Sequence, residues 1–139
     1  ATAHIFIYDM PTTLAPPSSP ATGRCGADHA DPDALARVQE QLLATRTVDR
    51  VADVFKLLGD PSRVRIVDAL THGERCVCEL ASLVGLSESA LSHQLRLLRA
   101  ARLVQVRRTG RLAFYALDDH HVVGLLHDTR KHVEEDDRS

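Results

Sequence analysis

The chain has 139 residues, 44% hydrophobic and 26% charged, which suits one soluble globular domain with a modest core. Tryptophan is absent and aromatics make up 4%, favouring small helices packed by Leu, Val and Ala over a β-sandwich. With a net charge of only −2, any nucleic-acid partner must be met by a local basic patch.

No run approaches the roughly 20 apolar residues that cross a bilayer. The opening HIFIY is too short, and lacks the basic flank, for a secretory signal. Three cysteines, two of them as C-x-C, do not form a disulfide framework. In a cytoplasmic protein, the expected location here, they read as thiols for metal or redox work.

Residues 1–9, ahead of Met10, read as a tag remnant or an extended start and carry no expected function. The stretch to residue 31 is rich in Pro, Ser, Thr, Gly and Ala without apolar periodicity, so residues 1–31 are expected to form a flexible arm. Within it lies Cys25-Gly-Ala-Asp-His29, a C-x3-H pair that a purely solvating tail would not need.

Residues 32–139 are expected to form the folded domain. Leu35, Val38 and Leu42 mark a first helix. A second is expected from Val48 to Leu58, with Val51, Val54, Phe55 and Leu58 on one face and Gly59 as its stop. Asp60-Pro61 is a cap followed by proline at the first helical position. Val64, Ile66, Val67 and Leu70 carry the third helix, closed near Thr71-His72-Gly73.

A short helix over Cys76–Val84 follows, with Val77, Leu80, Ala81 and Val84 inward. After the turn Gly85-Leu86-Ser87, a helix capped by Ser87 runs to Ala101 with a buried stripe of Leu91, Leu95 and Leu98. Helix, short glycine-containing turn and helix form the helix-turn-helix pattern. Residues 103–108 and 112–117 read as two strands joined through Thr109-Gly110. A last helix spans Asp118–Glu135, with Asp118 as its cap and Val122, Leu125, Leu126, Thr129 and Val133 at helical spacing. The order α-α-α-α-α-β-β-α is a mainly α winged helix-turn-helix with a small β-hairpin.

Between Ser87 and Tyr115 there are six arginines against one acid, Glu88. Ser89, Ser92, His93 and Arg96 occupy the face of the second motif helix opposite its leucine stripe. Their hydroxyls, imidazole and guanidinium suit base edges and phosphates in a major groove. Arg107, Arg108 and Arg111 on the hairpin can clasp the flanking backbone. An isolated charge run would read as a solvated face. This one falls on the two elements a winged helix presents to double-stranded DNA. Gln94 is open to both readings, base contact or plain surface.

The last helix carries potential metal ligands at its two ends, Asp119 with His121 and His132 with Glu135. His121 and His132 project from nearly the same face but stand about 16 Å apart along the axis at 1.5 Å per residue. One ion cannot reach both. A second, antiparallel copy of the helix would bring His132 and Glu135 of one chain beside Asp119 and His121 of the other. That geometry predicts a homodimer with two symmetry-related four-ligand sites.

The box Glu74-Arg-Cys-Val-Cys-Glu-Leu80, the downstream SESALSHQLRLLRAARLV, the RRTGRLAFYALDDHH hairpin and the final H-x2-E together resemble the ArsR/SmtB family of metal-sensing repressors. The resemblance covers about residues 32–135. It implies a homodimeric winged-helix repressor that binds operator DNA when metal-free, is released by metal, and controls efflux or sequestration of that metal.

Asp119, His121, His132 and Glu135 match the family's C-terminal-helix site at all four positions. Two imidazoles and two carboxylates suit tetrahedral Zn(II) and, less selectively, Co(II). Cys76 and Cys78 match the family's cysteine box, and Cys25 with His29 resembles arm ligands that some members add from the opposite protomer. That set would take Cd(II), Pb(II) or Zn(II); Cys25, Cys76 and Cys78 alone would make a trigonal As(III) or Sb(III) site.

The blander alternatives are a charged helix end for the terminal set and a small core hydrophobe for Cys78. Glu79 reads either as an oxygen ligand or as an acid favoured at a helix start. Two rival functions are a thiol redox repressor of the same fold and a small metallohydrolase. The latter needs an open coordination position and a substrate pocket, of which the sequence gives no sign.

Overall fold

The computed structural model describes residues 31–138. The described residues fall into two units, divided between Leu42 and Leu43. In the first, helix α1 (Pro32–Gln41) starts at Asp31, whose side chain accepts from the backbone N of Asp33 at 3.0 Å.

The second unit is ordered α2 (Thr45–Leu58), α3 (Pro61–Thr71), β1 (Arg75–Cys76), α4 (Val77–Val84), α5 (Glu88–Ala100), β2 (Val104–Thr109), β3 (Leu112–Leu117) and α6 (His120–Asp136). It is the expected winged helix-turn-helix with one addition, β1. This two-residue strand pairs antiparallel with β3, so the hairpin becomes a three-stranded sheet in the order β1-β3-β2. Cys76, expected to open a helix, is instead extended and paired opposite Phe114.

Three other boundaries differ from expectation. Helix α2 begins at Thr45 rather than Val48; its first turn closes through the Ala44 carbonyl, which accepts from Thr47 N and Val48 N at 2.8 and 3.0 Å. The hairpin turns through Gly110-Arg111 between paired Thr109 and Leu112. Gly110 takes φ +61°, the left-handed conformation a two-residue turn needs there. The cap of α6 is Asp119, not Asp118. Asp118 donates its backbone N–H to the Leu103 carbonyl at 3.0 Å, which keeps the chain extended for one more residue.

Ile66, Leu80, Leu91, Leu95 and Leu98 are wholly buried, joined by Val67, Leu70, Ala81, Val84, Leu103, Val104 and Val122. The leucine stripe of α5 therefore faces α3 and α4. Burying one such side chain contributes about 1.5–3 kcal/mol, which fixes the opposite face of α5 outward. Arg102, just past α5, has φ +58°, and Leu103 N bonds back to the Leu98 carbonyl at 3.0 Å. This is a left-handed helix terminus of the kind usually given to glycine.

Apolar side chains are also left in the open. Val48, Val51 and Phe55 of α2, Val64 of α3, and Val123 and Val133 of α6 are exposed. Val64 lines an apolar cleft with Phe55, Leu58, Val67, Val122, Leu125 and Leu126. Among the described residues no helix is long and apolar enough to cross a membrane.

Candidate metal centres and nucleic-acid interface

Ser87 caps α5 by accepting from Ala90 N at 3.1 Å, and Gly85 makes the preceding turn at φ +70°. With the leucines inward, Ser89, Ser92, His93 and Arg96 are all exposed on one helix, as are Arg108 and Arg111 on the hairpin. The surface combines hydroxyls, an imidazole and guanidinium groups on the two elements expected to face DNA.

Arg107 is placed differently. Its Nη2 and Nε donate to the two carboxylate oxygens of Glu74, the second bond at 3.3 Å. Its Nη1 donates to Thr109 Oγ1 at 2.6 Å. Its guanidinium carbon lies 4.9 Å from the centre of the Phe114 ring, its cross-strand partner. The hydrogen bond from Arg107, aided by its charge, holds the Glu74 carboxyl below its ordinary pKa. A residue expected to clasp DNA is thus engaged within the chain.

Gln94, left open by the sequence, receives a hydrogen bond from Arg63 Nε at 2.7 Å. Arg63 also donates from Nη1 to the Leu57 carbonyl at 3.0 Å. Neither the Arg63–Gln94 pair nor the Glu74–Arg107 pair was foreseen. Their partners lie 31 and 33 residues apart, beyond any local pattern.

The cysteine pair sits where β1 becomes α4. Cys76 is buried against the core and Cys78, two residues on, is exposed, with the two sulfurs 3.0 Å apart. The core-packing alternative for Cys78 therefore does not describe this arrangement. The Cys76 thiol beside it, with a smaller contribution from desolvation, pushes the Cys78 pKa up. Glu79 accepts from the backbone N of Cys76 at 3.2 Å, which spends one oxygen on the helix start. A tetrahedral ion with bonds of about 2.3 Å separates two sulfurs by about 3.8 Å, so a modest outward rotation of exposed Cys78 would fit the pair to one. Cys25 and His29 lie outside the described residues.

At the start of α6, Asp119 Oδ1 accepts from His121 N and Val122 N at 2.8 and 3.3 Å. It stands 3.4 Å from His121 Nδ1. Partial burial opposes ionisation of Asp119, but the two backbone donors and the His121 ring outweigh it and leave the pKa lowered. Nitrogen and oxygen ligands about 2.05 Å from a tetrahedral ion are about 3.3 Å apart, so this pair already has the bite of a half-site. His132 and Glu135 lie near the other end of α6, where Lys131 Nζ approaches Glu135 at 3.9 Å. Among the described residues no three His, Cys, Asp or Glu side chains converge. The described residues of one chain bring candidate ligands together in pairs only.

Comparison with known proteins agrees with this architecture. Residues 60–106 match the family of bacterial regulatory proteins, arsR family. The chain is 44% identical over 103 residues to the transcriptional repressor SmtB homolog of Synechocystis sp., covering 74% of this chain and 78% of that one. It is 37% identical over 112 residues to the cadmium resistance transcriptional regulatory protein CadC homolog of Staphylococcus aureus, covering 80% and 92%. Its fold matches the solution structure of a homodimeric winged helix-turn-helix DNA-binding domain from Mycobacterium bovis. That match has a TM-score of 0.62 at 30% identity and covers 67% of this chain and 89% of that one. These relatives are transcriptional regulators, not enzymes, and the chain belongs to the ArsR/SmtB family of metal-sensing transcriptional repressors.

Proposed function

We propose that the protein is a homodimer that binds double-stranded operator DNA when metal-free and leaves it on binding a Zn(II), Cd(II) or Pb(II)-type ion. Its regulated genes would serve efflux or sequestration of that metal. Ser89, Ser92, His93 and Arg96 would read the major groove, with Arg108 and Arg111 on flanking phosphates. Arg107 would join them only after leaving Glu74.

The observation that carries the metal reading is the split of ligands along α6. Asp119 and His121 are set 3.4 Å apart at one end, with His132 and Glu135 near the other. A second chain is the natural source of the missing pair. The exposed apolar residues of α2, α3 and α6 supply a surface for that chain to cover, and a homodimer is the state of the M. bovis relative. Zn(II) suits this mixed imidazole and carboxylate set.

Cys76 and Cys78, completed by Cys25 and His29 from the partner's arm, would hold Cd(II), Pb(II) or Zn(II). The similarity to a cadmium-resistance regulator favours a soft ion there. The 3.0 Å sulfur pair also supports a second reading, a repressor responding to As(III), Sb(III) or thiol oxidation.

Metal bridging α6 across the dimer would restrain the spacing of the two α5 helices, which must match successive major grooves about 34 Å apart. A coupling of about 1–3 kcal/mol lowers DNA affinity about 5- to 150-fold. The test is DNA affinity titrated with Zn(II) and Cd(II) for wild type, Cys76→Ser and His121→Ala. Loss of release only in His121→Ala assigns sensing to α6, and loss only in Cys76→Ser assigns it to the thiols. Unchanged DNA affinity with metal demonstrably bound refutes metal-driven release.

A further inference from the structure

Arg63 is the third residue of α3, and its backbone N is already used by the Asp60 cap at 3.1 Å. Its side chain leaves α3 and joins two other helices. Nη1 reaches the Leu57 carbonyl in the last turn of α2, and Nε reaches Gln94 Oε1 in the middle of α5. A cation is favoured at a helix C-terminus, where carbonyls lack intrahelical partners. The link to Gln94 therefore starts from a fixed point.

The pair also settles which way the Gln94 amide faces. Guanidinium has donors and no acceptor, so the atom turned to Arg63 must be oxygen. The amide nitrogen and its two hydrogens then point away. A glutamine that reads adenine needs both ends of its amide, accepting from N6 while donating to N7. With Oε1 turned to Arg63, Gln94 offers its amide nitrogen outward. It can meet a phosphate oxygen, the O6/N7 edge of guanine or O4 of thymine. Gln94 directly follows His93 and stands two residues before Arg96 on the same rigid helix, so what fixes Gln94 also sets the roll of α5 about its axis.

We infer that Arg63 is a positioning residue for DNA recognition, holding Gln94 with its amide nitrogen outward and setting the roll of α5 from the end of α2. The inference rests on DNA binding through α5 and goes beyond it by assigning roles to two residues outside the expected contact set.

The test uses full-length, metal-free protein and a duplex selected by the wild type from a random-sequence library. Arg63→Lys keeps the charge but loses the fork. It should weaken the selected duplex about tenfold, with helical circular dichroism unchanged and the salt dependence of binding unaltered. Gln94→Glu keeps the acceptor for Arg63 and removes the outward donors. It should fold normally and lose at least tenfold in preference for the selected duplex over random DNA. Arg63→Ala combined with Gln94→Ala should be no worse than the poorer single variant, because the two act as one unit.

Additive losses would overturn the coupling. A salt slope smaller by about 0.9 in Arg63→Ala would make Arg63 a phosphate contact instead. A selected adenine whose requirement disappears in Gln94→Ala would overturn the nitrogen-outward orientation of the amide. Full affinity in Arg63→Lys would overturn the positioning role while leaving DNA binding through α5 intact.

Discussion

The two candidate metal centres are built on opposite plans. The cysteine pair is compact, with both sulfurs within one chain and 3.0 Å apart, and one of them belongs to a strand of the three-stranded sheet. The α6 centre is divided, with two ligands at one end of a 17-residue helix and two near the other. An ion held by the two sulfurs would act on tertiary structure, through the pairing of Cys76 with β3. An ion at the second would act on quaternary structure, because a second chain would have to complete it. The difference would separate two ways of acting on the same DNA-binding fold.

The largest effect should come from removing a ligand of the divided centre. His132→Ala should lower its Zn(II) affinity at least 100-fold, since even outer-shell changes cost about 10–100-fold. Competition titration with a chelating dye would measure this. The affinity should also fall on dilution below the dimer dissociation constant, whereas the two-sulfur contribution of the cysteine pair should not.

Next is pH. The Cys78 thiol is held protonated by its neighbour, and a metal must displace that proton. Cd(II) affinity at the cysteine pair should therefore fall by at least about tenfold per unit as pH drops below 8. Asp119 is already ionised throughout that range and adds nothing to the corresponding slope at α6. Equal contributions from Cys78 and Asp119, measured as protons released per ion, would erase this distinction.

A smaller effect is expected at the wing. Glu74→Gln weakens the hold on Arg107 and should raise DNA affinity a few-fold, with a salt slope steeper by about 0.9 as one more guanidinium meets phosphate. The pKa of Glu74 is lowered in the folded chain. Its pair with Arg107 is therefore fully formed above the ordinary carboxylate range and lost as pH falls through the depressed value. Binding that is indifferent to Glu74→Gln would show that the wing is not restrained by this pair.

Least is expected of Arg102→Gly. Relieving a left-handed conformation in a side-chain-bearing residue should stabilise the fold by about 1 kcal/mol, seen as a higher Tm. Metal affinity at both centres should be unchanged, which makes this variant the control for the others.

Much of this architecture was legible because it is periodic or capped. Leu91, Leu95 and Leu98 announce the buried side of α5, and Asp60-Pro61 announces the start of α3. Gly110 announces the hairpin. Strand β1 was not legible, because two residues have no period; it exists only because β3 offers a free edge. The shift of the α6 cap from Asp118 to Asp119 was hidden for a similar reason. Two adjacent aspartates are equivalent in sequence, and a backbone bond from Asp118 to Leu103 decides between them. At the candidate site, residue types and spacing singled out Asp119 with His121 and Cys76 with Cys78, and the structure sets each of these pairs side by side. Which cations are held within the chain, Arg63 by Gln94 and Arg107 by Glu74, depended on tertiary neighbours.

Cys76 holds three posts at once. It is a strand partner of Phe114, the residue from which α4 departs, and a thiol. Altering its chemistry therefore also disturbs a seam of the sheet. Cys78 has an exposed side chain and no post in the sheet. Changes in ion preference can accumulate there at little cost to folding, so evolution or a designer retuning this centre has one adjustable ligand and one anchored one.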